Sequence, residues 1–254
     1  MLGLEALVEE FGATTLMAIL VAAIVTSCIH GAVGVAGGFL MTAALALLIG
    51  VRASVPVMSV ALLISHGARS LMNIRDLDLR AFVAVMIPAI PLIVLSSYIY
   101  VELPLDLLSF VLAAIILSSI PLRHWARARS IRAGHGTLAV AGAGYGFLAG
   151  ASIGSGMLLG PFLLGHGLVK EGFVATMAVI ALATNLTRIS VFGSTAVLTS
   201  DYFVLGLVIG LVMIPGNWLG RWVLRRMTVS THGLLVDGFA VIGGLNFLYL
   251  AFTV

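Results

Sequence analysis

Arg188 is the residue of this chain that most needs a chemical explanation. It lies near the centre of an apolar stretch, residues 172–199, that contains no acid. A charge held at mid-bilayer costs from about 2.5 to more than 10 kcal/mol, so such a side chain must face a protein interior or a wet cavity. A guanidinium there can bind an oxyanion through two parallel hydrogen bonds. The other role open to it is structural, bonded to backbone carbonyls exposed at a helix break. Thr184 and Asn185 lie four and three residues before it, on the same helix face. Ser65, His66 and Arg69 repeat this spacing in the first half of the chain. Two such faces brought together would form one polar chamber. Arg69 stands nearer a helix end and can instead snorkel to the interface.

Two glycine clusters supply a second kind of chemistry. Gly31, Gly34, Gly37 and Gly38 interrupt one apolar stretch, and Gly150, Gly154 and Gly156 another. A helix that starts inside the membrane offers free backbone N–H groups and the positive end of its dipole, and glycine lets an anion come close to that backbone. Ser152 and Ser155 are expected to add hydroxyl donors there. The competing reading is close packing. Gly142, Gly146, Gly150 and Gly154 recur every four residues, the small-xxx-small pattern of tight helix interfaces. Packing is assigned to Gly142 and Gly146, and a break with substrate contact to Gly154–Gly156. His30 and His66 are the candidates for carrying a proton, since imidazole titrates near neutrality; a buried histidine bonded to a helix carbonyl is the plainer alternative. Asp201 is expected to cap a helix at the outer surface.

The elements that must position these residues are membrane helices. Of 254 residues, 61% are hydrophobic and 9% charged; mean hydropathy is +1.20. That excludes a soluble enzyme, and the absence of strand-like alternation excludes a membrane barrel. The single cysteine, Cys28, excludes an internal disulfide and a multi-cysteine metal site. Basic residues sit in short loops, where they orient a membrane protein; nucleic acid is not an expected partner, and no metal or other cofactor is called for. Glu5, Glu9 and Glu10 stand where a signal peptide would be basic, so none is expected.

Apolar stretches run over about 13–51, 53–73, 81–100, 104–122, 137–168, 172–199, 202–224 and 233–253. The first and fifth are too long for one ordinary crossing, so each is expected to be two shorter helices meeting at its glycine break. The fold expected is an all-α polytopic membrane protein with about 8–10 membrane-embedded helices. Placing the basic loop of Arg123, Arg127, Arg129 and Arg132 in the cytoplasm puts Lys170, Arg221, Arg225 and Arg226 there too if 137–168 crosses twice or enters and returns. Both termini then lie outside.

The two halves resemble each other. Val85-Met86-Ile87-Pro88 recurs as Val212-Met213-Ile214-Pro215, the Ser65/His66/Arg69 face as Thr184/Asn185/Arg188, and Gly38-Phe39-Leu40 as Gly156-Met157-Leu158. The offsets are 127, 119 and 118 (215 − 88, 188 − 69, 156 − 38). With an odd number of crossings in each half, the repeats are expected to be inverted, with residues 1–122 as the first, 123–136 as a basic linker and 137–254 as the second. Inverted repeats with broken helices place their site between the repeats, near mid-membrane.

Three stretches, Gly31-Ala-Val-Gly-Val-Ala-Gly-Gly38, Gly150-Ala-Ser-Ile-Gly-Ser-Gly156 and Ala183-Thr-Asn-Leu-Thr-Arg188, together with the basic linker, resemble the sulfite exporter TauE/SafE family over essentially the whole chain. The resemblance implies transport of anions such as sulfite and sulfoacetate across the bacterial cytoplasmic (inner) membrane. The expected substrate-binding residues Gly37, Gly38, Gly154, Gly156, Ser152, Ser155, Thr184, Asn185 and Arg188 all fall within these stretches. One departure is that the second break reads Gly154-Ser155-Gly156 and not a run of glycines, so the anion cradles of the two halves can differ. The expected partners are the small anion and the lipid bilayer; the sequence is equally compatible with a homo-oligomer. No Walker motif is present, so a secondary transporter is expected, most simply one exporting the anion by alternating access. An anion channel, or a transporter of a small carboxylate, is the alternative. An intramembrane enzyme is not, because the spans lack a nucleophile–base pair and almost all acids.

Overall fold

The structure, a computed structural model, describes residues 4–33, 36–128, 132–224, 226 and 228–253. Apolar runs bounded by glycine, proline and charge become eleven α-helices among these residues. They are α1 (Leu4–Phe11), α2 (Ala13–Val33), α3 (Ala36–Ile49), α4 (Val51–Asn73), α5 (Leu79–Glu102), α6 (Leu105–Ala128), α7 (His135–Ala151), α8 (Gly156–Gly165), α9 (Lys170–Ser194), α10 (Ser200–Leu224) and α11 (Val229–Thr253). No strand occurs among the described residues. Seven helices are long and apolar enough to cross a membrane, and α3 and α8 are shorter apolar helices. Many of the large side chains on the outside are apolar, for example Val140, Trp218, Leu234 and Phe252, each more than 70% exposed. In water such a surface would aggregate; facing lipid it is the expected one.

The two long stretches divide as expected. The first gives α2 and α3, the second α7 and α8, and each pair folds into a hairpin. Gly37 near the start of α3 packs on Thr26 and His30 of α2. The far end of α8 returns to the start of α7, where the Ala133 amide donates to the Gly165 carbonyl at 3.1 Å and the His135 and His166 rings meet edge to face. With ten residues and ~1.5 Å of rise per residue, α8 extends only ~15 Å, half the thickness of a bilayer core. The turn between them depends on Gly154, whose φ of +96° a residue with a Cβ adopts only with strain.

Taken as two runs of five, α2–α6 and α7–α11, the helix pairings have counterparts. α2 packs on α10 as α7 packs on α5; α4 on α10 as α9 on α5; α3 on α11 as α8 on α6; α4 meets α9, and α6 meets α11. α6 and α11 run antiparallel, since His124 lies beside Asp237 and Leu117 beside Gly244. The matched interfaces are built from the same residue types. On α7, Gly142 and Gly146 lie against the backbones of Val85 and Ala89, on either side of Pro88. On α10, Gly216 and Gly220, which follow Pro215, lie against Ser27 and Cys28 of α2. A Cβ at any of these four glycines would enter the neighbouring helix, so the packing role expected of Gly142 and Gly146 is the one they have. Asp201 is not the cap of α10: the Thr199 hydroxyl accepts from the Tyr202 amide, and Asp201 lies in the first turn.

Candidate functional site

The two hairpins meet in the interior. Gly38, in the first turn of α3, faces the Ile153 side chain, and the Phe39 ring covers Gly154 so closely that a Cβ there would collide with it. Beside this contact lies a cavity of about 240 Å³. Its wall comes from both runs of helices: His30 of α2, Gly38 of α3, Leu62 and His66 of α4, Tyr145 and Ala149 of α7, Ile153–Gly156 of the break, and Phe173 to Arg188 of α9. Most of that wall is apolar. Arg188 is the one cation among its described residues, and no acid accompanies it.

The Arg188 side chain is 3% exposed and tightly held. Its Nε donates to the Ala149 carbonyl and one terminal nitrogen to the Ser152 carbonyl, each at 2.5 Å; the other terminal nitrogen donates to Asn185 Oδ1 at 3.3 Å. Ala149 and Ser152 end α7, where the break leaves carbonyls without helical partners. The guanidinium therefore closes the break, which is the structural role considered for it, and faces the cavity as well. Three of its five N–H groups are used, leaving two that no acceptor among the described residues occupies. Arg188 is not central in its helix: α9 ends at Ser194, because the chain turns at 195–199 where composition alone continued the span, so Arg188 lies ~9 Å before the end.

Of the residues selected from sequence, Arg188, Asn185, Thr184, Gly154, Ser155, Gly156, Gly38, His30 and His66 line the cavity together. Ser152 stands behind the wall, offering its carbonyl to Arg188 and its hydroxyl to Ser155. Gly37 is packed on α2, and Ser65 is not among the lining residues. The Arg69 side chain, Gly34, Arg129 and Arg225 lie outside the described residues. Both serine hydroxyls are engaged within the protein. Ser152 donates to the Leu148 carbonyl at 3.0 Å, so the 3.0 Å contact between the two hydroxyls uses the Ser155 proton. Tyr145 is the polar lining residue that sequence reasoning missed. Its only signal was a polar-tipped side chain inside the glycine-rich stretch 142–150, where attention went to the glycines. No group of three potential metal ligands occurs among the described residues.

Long apolar helices enclosing a cavity with a buried cation on its wall define a polytopic membrane protein. The chain belongs to the sulfite exporter TauE/SafE family, whose model, described as "Sulfite exporter TauE/SafE", matches residues 19–247. Membership places the protein among membrane transporters of sulfur-containing anions. No curated protein and no solved structure matches the chain.

Proposed function

We propose that this protein is a secondary transporter that exports a small sulfur oxyanion, sulfite or an organosulfonate such as sulfoacetate, by alternating access across the bacterial inner membrane. One observation carries the reading. The cavity between the two hairpins holds an unopposed guanidinium with two N–H groups left for a ligand. Its binding residues are Arg188, Asn185, Thr184, Ser155 and the Gly154–Gly156 backbone, with His66 and Gly38 across the cavity. Ser152 positions Arg188; by the repeat spacing Ser65 and Arg69 are the first half's counterparts of Thr184 and Arg188, and Gly37 belongs to the first half's break. His30 and His66 are the candidates to carry a coupled proton.

Residues 1–122 and 137–254 act as inverted repeats joined by the cytoplasmic linker 123–136, with both termini outside. The antiparallel crossing of α6 and α11 supports this, because equivalent helices of parallel repeats would run the same way. The membrane potential, negative inside, drives an anion outward with about 2.3 kcal/mol per charge per 100 mV.

Flux of sulfite and sulfoacetate from proteoliposomes tests the reading. Uptake that saturates, responds to an imposed potential and falls in Arg188→Lys is expected. A flux linear in concentration indicates a channel, and acetate outcompeting both sulfur anions indicates a carboxylate carrier; either result overturns the proposal.

A further inference from the structure

The hydrogens of the two hydroxyls on the cavity wall can be assigned by counting. Thr184 Oγ1 lies 2.8 Å from the Ile180 carbonyl, which can only accept, so the single Thr184 proton goes there. The 2.9 Å contact between Tyr145 and Thr184 then needs a proton from Tyr145. Ser155 is in the same position, with its proton on Ser152, which has given its own to Leu148. Both hydroxyls end a short relay that runs away from the cavity into a helix carbonyl. Each presents the cavity with lone pairs only. The donors that α9 adds to the wall are two N–H groups of Arg188 and one of Asn185, whose other amide proton is held by the Ala181 carbonyl at 2.9 Å, and the His30 and His66 rings line the cavity as well.

An anion whose periphery is entirely acceptor oxygens satisfies the donors and sets its lone pairs against those of Tyr145 and Ser155. Their removal from water would go uncompensated. From this pattern we infer that the ligand is a monoanion carrying a hydrogen-bond donor of its own, an O–H or N–H on the acid group or within two carbons of it, received by the oxygens of Tyr145 and Ser155; of the anions named above this selects hydrogensulfite over sulfoacetate, whose dianion has no donor. This deepens the transport reading above and rests on it, because Arg188 must hold the acid group for the donor to reach these oxygens.

Matched sulfonates test it by calorimetry on the detergent-purified protein. Sulfamate and methanesulfonate differ by a donor on sulfur; 2-hydroxyethanesulfonate and propane-1-sulfonate differ by a donor on the chain. In at least one pair the donor-bearing member should bind about three- to tenfold more tightly, and which pair does so locates the donor. Tyr145→Phe or Ser155→Ala should narrow that ratio, weakening the donor-bearing member more than the donor-free one. Thr184→Val should narrow it as well, because it frees the Tyr145 proton to point into the cavity; a residue that merely filled space would leave the ratio unchanged. Equal binding within both pairs, with both weakened by Arg188→Lys, overturns this inference and leaves the transport reading standing. No binding of any of the four overturns both.

Discussion

Replacing Arg188 by lysine and by glutamine separates its two jobs. The wild-type side chain satisfies the Ala149 and Ser152 carbonyls and Asn185 Oδ1. Leaving a buried acceptor unsatisfied costs about 1–3 kcal/mol. Arg188→Ala abandons two carbonyls and opens a void, so it should lose about 3–6 kcal/mol, a large share of the roughly 5–15 kcal/mol that holds a protein folded. Lysine reaches one carbonyl and keeps the charge; glutamine keeps a donor and drops the charge. Both should lose about 1–3 kcal/mol of stability, but they should differ in binding. Losing a charge-assisted hydrogen bond costs about 1.5–3 kcal/mol, so lysine should bind the anion roughly tenfold more weakly and glutamine more weakly still. Thermal denaturation in detergent reads the first quantity and calorimetric titration with the transported anion the second. If Arg188→Gln binds as tightly as wild type, or Arg188→Ala melts at the wild-type temperature, the guanidinium has neither job and the site is misplaced.

Gly154→Ala should destabilise more than any other glycine-to-alanine change at the break, because it combines a φ of +96° with a collision against the Phe39 ring; its melting temperature, compared with that of the double variant with Phe39→Ala, checks this, and the double variant should recover part of the loss. Gly142→Ala pushes a methyl into the Val85 backbone, whereas nothing lies within 4 Å of a methyl at Gly144 two residues on; the first should lower folded yield in the membrane and the second leave it unchanged or raise it. In a background with Cys28 replaced, cysteines at positions 127 and 201 should react with an impermeant maleimide from opposite sides; reaction of both from one side refutes the topology. His124 and Asp237 form a half-exposed pair at 2.9 Å, so His124→Ala should shift stability by no more than about 1 kcal/mol.

The helices and the two hairpins were legible because a membrane span announces itself through length and hydropathy, and a break through glycine. Arg188 was legible for a related reason, since a charge in an apolar stretch cannot be indifferent to its surroundings. The direction of hydrogen bonds was not. Ser152 and Ser155 carry the same hydroxyl whether they face a ligand or a helix carbonyl, and only the positions of Leu148 and Arg188 decide which. Tyr145 escaped notice because its contact with Thr184 spans 39 residues, a proximity that spacing along one helix cannot reveal. The end of α9 was misread because residues 195–199 are compositionally ordinary for a span, yet the chain turns there, with Ala196 at a φ of +59°.

The reciprocal pairing of helices has a consequence for synthesis. The broadest neighbour of α2 is α10, and that of α7 is α5. α7 finds its groove already made when it leaves the ribosome. α2 does not: its partner follows about 190 residues later, an interval of roughly 10–40 s at 5–20 residues per second. Throughout that time the face of α2 around Ser27, Cys28 and Gly31, which receives the glycines of α10, lacks its native partner. Docking of α2 on α10 is therefore an event near chain completion, and the nascent protein is most exposed to mispairing while its first long helix waits for one of its last.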